Sequence, residues 1–130
     1  MLARKDMQMK RVFYYTDMLP LLSREDVAID KIERNLQVFR DFKDKIEVVW
    51  HPQSGTLEYL EKNNSPVKDR YCQIVDKYRS EAFGQFDDSK GFDAAKTVLL
   101  SCDAYYGDVC DLVYEAQNAK MPIMIQNVDV

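Results

Sequence analysis

Five short runs of β-branched and aromatic residues recur along this chain, each separated from the next by a segment whose apolar residues repeat at helical spacing. Residues 11–16 (RVFYYT), 46–50 (IEVVW), 82–86 (AFGQF), 103–106 (DAYY) and 122–126 (PIMIQ) read as strands. The second is stopped by His51-Pro52, because proline cannot donate to a ladder. The third is closed by Asp87-Asp88-Ser89 and the fourth by Gly107.

A polar connection broken by Pro20 and Ser23 follows the first strand. Ile29, Ile32, Leu36, Phe39 and Phe42 then recur at steps of three and four, which predicts an amphipathic helix over about 26–42. A short helical piece is expected near 57–61. Ser65-Pro66 is a helix start, with a hydroxyl cap and a proline in the first turn, followed by Val67, Tyr71, Ile74 and Tyr78 on one stripe. Phe92, Ala95, Val98 and Leu99 mark another helix. Leu112, Val113 and Ala116 mark the last, with Asp108 as its expected cap.

Strands alternating with helices imply parallel neighbours, since a parallel pair needs a crossover connection. The expected fold is α/β: a three-layer, Rossmann-like, doubly wound parallel sheet of about five strands. No linker or repeat divides the 130 residues, so residues 1–130 read as one domain, long enough to bury a real core. No closing helix follows the fifth run, which places that strand at a sheet edge or makes the chain part of something longer.

Composition narrows the function classes. Eighteen basic against 22 acidic residues give a net charge of −4, which argues against nucleic acid as a partner. The acids concentrate late: residues 1–80 carry +2 and residues 81–130 carry −6. No apolar run reaches the roughly 18 residues of a membrane span, and residues 1–10 lack the apolar middle of a signal peptide. Three cysteines (Cys72, Cys102, Cys110), without a Cys-x-x-Cys pair or a nearby histidine, fit buried thiols in a reducing, cytoplasmic setting.

In open parallel sheets, ligands bind beyond the carboxyl ends of the strands. Thr16, Asp17, His51, Asp87, Asp88, Ser89, Tyr106, Gly107, Asp108, Gln126 and Asn127 are expected there. His51, the one histidine, is expected at the rim with an imidazole free to donate to an anion; the alternative is a loop histidine bonded to a backbone carbonyl. Tyr106-Gly107-Asp108 leads toward a helix whose free N–H groups favour phosphate; the alternative is an ordinary capped turn. Asp87, Asp88, Asp103, Asp108 and Asp111 could gather around magnesium, whose hard oxygen ligands are carboxylates and phosphates. Thr16-Asp17 and Gln126-Asn127 stand where a phosphoacceptor receiver domain would need paired acids and a lysine. Cys110, flanked by Asp108 and Asp111, has no base to make it a nucleophile.

VVWHP at 48–52, FDDS at 86–89, SCDAYYGD at 101–108 and KMPIMIQNV at 120–128 occur in an order and spacing that resembles the teichoic-acid-type (CDP-glycerol) glycerophosphotransferases of bacterial cell-envelope synthesis and their GT-B glycosyltransferase relatives. The resemblance runs over almost the whole chain and implies the carboxyl-terminal, donor-binding half of such an enzyme. It implies that His51 contacts the diphosphate of a nucleotide-activated small molecule as the catalytic residue. Tyr106, Gly107, Asp108, Asp88, Ser89 and Gln126 would complete the donor site. An acceptor-binding partner domain, or a second copy, would face it, and the isolated half would be inactive. Val109-Cys110-Asp111 stand where that family carries glycine and small hydroxyl residues. Two alternatives follow: a non-catalytic binding or interaction domain with an eroded site, and a magnesium-dependent phosphate-handling domain using Asp87, Asp88 and Asp108.

Overall fold

A computed structural model describes residues 9–126. It holds five strands, β1 (Lys10–Thr16), β2 (Ile46–Pro52), β3 (Gly84–Phe86), β4 (Ala104–Gly107) and β5 (Ile123–Ile125). Six helices connect them: α1 (Met18–Ser23), α2 (Glu25–Asp41), α3 (Thr56–Lys62), α4 (Lys68–Ser80), α5 (Phe92–Leu100) and α6 (Leu112–Asn118). The strands form one all-parallel sheet in the order β3-β2-β1-β4-β5, so the expected doubly wound, Rossmann-like α/β fold is what the chain adopts. Among the described strands β5 pairs only with β4 and lies at the edge.

The continuous apolar character of β1 follows from its central place, buried on both faces. Successive side chains alternate between faces. Val12 and Tyr14 therefore join Trp50, Ile29, Leu36, Tyr71 and Tyr78 in one core, under α1–α4. Phe13 and Tyr15 join Val49, Ala95, Leu99, Tyr105 and Leu112 in the other, under α5 and α6. Each fully buried large side chain of these cores contributes roughly 1.5–3 kcal/mol relative to exposure. Trp50 anchors the first core edge-on against Tyr78 at 5.3 Å and Phe86 at 5.3 Å, and its indole N–H donates to Thr16 Oγ1 at 3.0 Å.

Three local expectations change. The connection after β1 is not irregular: it forms α1, because Pro20 falls in the first helical turn, where a missing N–H costs nothing, and Leu21 is buried beneath. Ser65 Oγ accepts from the Val67 N–H at 3.3 Å as a cap would, but the regular helix begins only at Lys68. The third strand shortens to Gly84–Phe86 because Phe83 turns into the core beside Tyr78, whose hydroxyl donates to the Gln85 carbonyl at 2.6 Å.

Candidate functional site

The register of the sheet builds the site. His51 on β2 and Gly107 on β4 are both partners of Tyr15 on the central strand, so all three lie on one row near the carboxyl ends. The strand order reverses direction between β1 and β4, which makes this row the switch point where open α/β sheets leave a crevice.

His51 is not the free rim histidine expected from the sequence, nor is it bonded to a backbone carbonyl. Pro52 still continues β2, so His51 stays within the strand and only 3% exposed. Its ring stacks on Phe13 at 5.4 Å and on Tyr15 at 6.1 Å. Trp50 pairs with Phe86, and the next residues of the two parallel strands, His51 and Asp87, therefore come side by side. His51 Nδ1 meets Asp87 Oδ2 at 2.7 Å. Asp87 is itself held by Ser89, whose hydroxyl donates to Oδ2 at 2.9 Å and whose backbone N–H donates to Oδ1 at 3.3 Å.

With Nδ1 committed to Asp87, Nε2 is the ring nitrogen left for a ligand. His51 lines an open cavity of about 500 Å³ with Tyr15, Asp17, Gln53, Gly91, Phe92 and Asp111. Gly91 and Phe92 belong to the start of α5, where backbone N–H groups lack intrahelical acceptors. No lysine or arginine is among the described residues that line this cavity.

The Tyr106–Asp108 turn is set by the sheet. Gly107 has φ +127°, and a Cβ there would lie 2.2 Å from the Tyr15 carbonyl oxygen. Asp108 does not cap α6, which starts four residues later at Leu112 and has seven residues. It accepts the Asp17 backbone N–H at 2.8 Å instead, closing the crevice between β1 and β4. Burial pushes the Asp108 carboxyl up, and the Asp17 N–H opposes that shift.

Tyr106 points to the opposite face from His51, where its hydroxyl donates to Asn35 Oδ1 at 3.3 Å. Gln126 pairs reciprocally with Asn35: its amide donates at 3.2 Å and its Oε1 accepts from Asn35 Nδ2. Asn35 also donates to the buried Tyr14 hydroxyl at 3.0 Å. Asp108 and Gln126 border only a crevice of about 20 Å³. Asp88 lines a third cavity, of about 380 Å³, with Phe86, Tyr71, Arg79 and Lys90; it shares Gln53 and Ser54 with the His51 cavity. Ser89 stays beside Asp87. Asn127 lies outside the described residues.

His51, Asp88, and Asp108 with Gln126 thus border three different openings, and Tyr106, Gly107, Asp87 and Ser89 line none of them. The five aspartates do not gather. Asp103 sits at the other end of β4, accepting the Arg11 N–H at 2.8 Å, and no group of three or more potential metal ligands occurs among the described residues. Burial raises the Cys110 thiol, which lies 3.5 Å from the Tyr105 hydroxyl.

Sequence reasoning missed Asn35, although a polar residue on the Ile32–Leu36 stripe is itself a signal of buried hydrogen bonding. It also missed Gly91 and Phe92, which carry no motif. No helix among the described residues is long and apolar enough to cross a membrane. No protein-family model matches the sequence, and no curated protein or solved structure matches it either.

Proposed function

We propose that this domain binds the diphosphate of a nucleotide-activated donor and is the donor half of a glycosyl- or glycerophosphotransferase-like protein. The observation that carries this reading is the His51–Asp87 pair. An imidazole whose Nδ1 meets a carboxylate and whose ring stacks on two aromatic rings lines a 500 Å³ cavity at the carboxyl ends of parallel strands. In that position Nε2 donates to a diphosphate oxygen, and Asp87 carries the countercharge of the imidazolium. As the donor's bond breaks, charge gathers on the departing diphosphate, and the same hydrogen bond strengthens. The start of α5 adds its dipole from the other wall.

Asp17 and Asp111 line the same cavity. Their charge opposes a bare diphosphate, so the magnesium complex of the nucleotide is the better guest. The adjoining 380 Å³ cavity, which contains Asp88, leaves room for the rest of the donor. Transfer itself needs an acceptor held across the site, which another domain or a second copy would supply.

A second reading, a non-catalytic interaction domain of the same fold, is favoured by the absence of cationic side chains among the described residues that line the His51 cavity and by Val109, which lines it and is 64% exposed. Thermal unfolding of the chain with CDP, UDP or ADP, with and without magnesium, separates the two. At a ligand concentration about a hundred times Kd the donor-binding reading expects close to 2.7 kcal/mol of stabilisation. No shift with any nucleotide at millimolar concentration would leave the interaction domain as the function.

A further inference from the structure

We propose that Asp87 is the positioning residue of this site: its carboxylate fixes a hydrogen of His51 on Nδ1 and so decides the protonation state in which Nε2 meets a ligand. The inference rests on the donor-binding reading for the identity of the ligand, but the control of the ring does not depend on it.

An ionised carboxylate can only accept hydrogen bonds, so the 2.7 Å contact requires the hydrogen on Nδ1. The stacked rings of Phe13 and Tyr15 hold the imidazole plane against rotation about its attachment. A flip about Cβ–Cγ would put Cδ2 where Nδ1 stands and leave Asp87 Oδ2 without the ring nitrogen it meets at 2.7 Å. The same arrangement, a carboxylate behind a histidine, is how other enzymes choose a tautomer and hold it.

The partners of Asp87 make the effect of a substitution specific. The Ser89 backbone N–H can only donate, and it points at Oδ1, whereas the Ser89 hydroxyl at Oδ2 can turn to accept. In Asp87→Asn the amide oxygen therefore takes the Oδ1 place and the NH2 group takes the Oδ2 place, facing His51. Nδ1 must then accept, and the proton moves to Nε2. The ring keeps its position while its two nitrogens exchange roles.

His51 is the only histidine, so the whole chain labelled with 15N-histidine gives one pair of ring nitrogen signals. Above the titration of the ring, the wild type should show Nδ1 as the protonated, pyrrole-type nitrogen and Nε2 as the pyridine-type one. Asp87→Asn should reverse them. Asp87→Ala, which leaves Nδ1 without its acceptor, should give the tautomer mixture of an unconstrained histidine; amide spectra establish that each variant is folded. A wild type protonated mainly on Nε2, or variants that keep the wild-type tautomer, would overturn the role of Asp87. Failure of the wild type to bind any nucleotide would instead overturn the donor-binding reading, and the tautomer result would still decide the positioning.

Discussion

His51 and Gly107 face each other across one residue: both are in register with Tyr15, His51 from the β2 side and Gly107 from the β4 side. The two features most suggestive in the sequence therefore share a row of the sheet, yet they serve different ends. The side chain of His51 opens on a cavity, whereas the missing side chain of Gly107 lets two strands approach.

That difference makes Gly107 a test of the sheet. Gly107→Ala places a methyl group 2.2 Å from the Tyr15 carbonyl oxygen at a φ of +127°. The combined clash and backbone strain should cost roughly 2–4 kcal/mol. Urea unfolding should show a lower midpoint at unchanged slope. A loss below measurement would mean that β1 and β4 are farther apart than described.

Asn35 ties three elements through Tyr14, Tyr106 and Gln126. Asn35→Ala leaves those polar groups unpaired and should cost about 1–3 kcal/mol. Nucleotide-induced stabilisation should survive the change, because this network faces away from the His51 cavity. Loss of nucleotide binding with little loss of stability would place the ligand on the other side of the sheet.

Asp108 should give the protein a pH signature. Burial raises its carboxyl in the folded chain, so between the unfolded and folded values the native state binds more protons. Its contribution is present below the unfolded value and is lost as pH rises through the folded one. At neutral pH Asp108→Asn, which still accepts the Asp17 N–H, should be more stable than wild type. The difference should narrow as the pH falls below the carboxylate range. Urea midpoints at neutral and acid pH check the sign; a variant less stable at neutral pH contradicts it.

Burial raises the thiols of both Cys102 and Cys110, which lowers their thiolate fraction near neutrality. Both should alkylate well below the rate of an unhindered thiol, as followed by peptide mass spectrometry, and a fast Cys110 would reopen the case for a nucleophile.

Much of this was legible locally. RVFYYT is apolar on both faces because β1 has neighbours and helices on every side, and the helix stripes through Ile29–Phe39 and Val67–Tyr78 each bury against that sheet. What escaped was set by distant partners. Gly107 is demanded by Tyr15, 92 residues earlier, and only the strand register shows it. Gln126 reads as a rim residue until α2 brings Asn35 to it. Asp87 reads as one of several acids until Trp50–Phe86 pairing sets it beside His51. Pro20 looked like a break because a proline three residues into a helix and one in a loop are written the same way.

The most direct test is to titrate 15N-histidine-labelled chain with magnesium CDP, UDP and ADP, and with the matching nucleosides, while watching the His51 ring signals. The account predicts that at least one nucleoside diphosphate moves Nε2 saturably while its nucleoside leaves it in place. Ring signals that stay fixed with every diphosphate at millimolar concentration would contradict it.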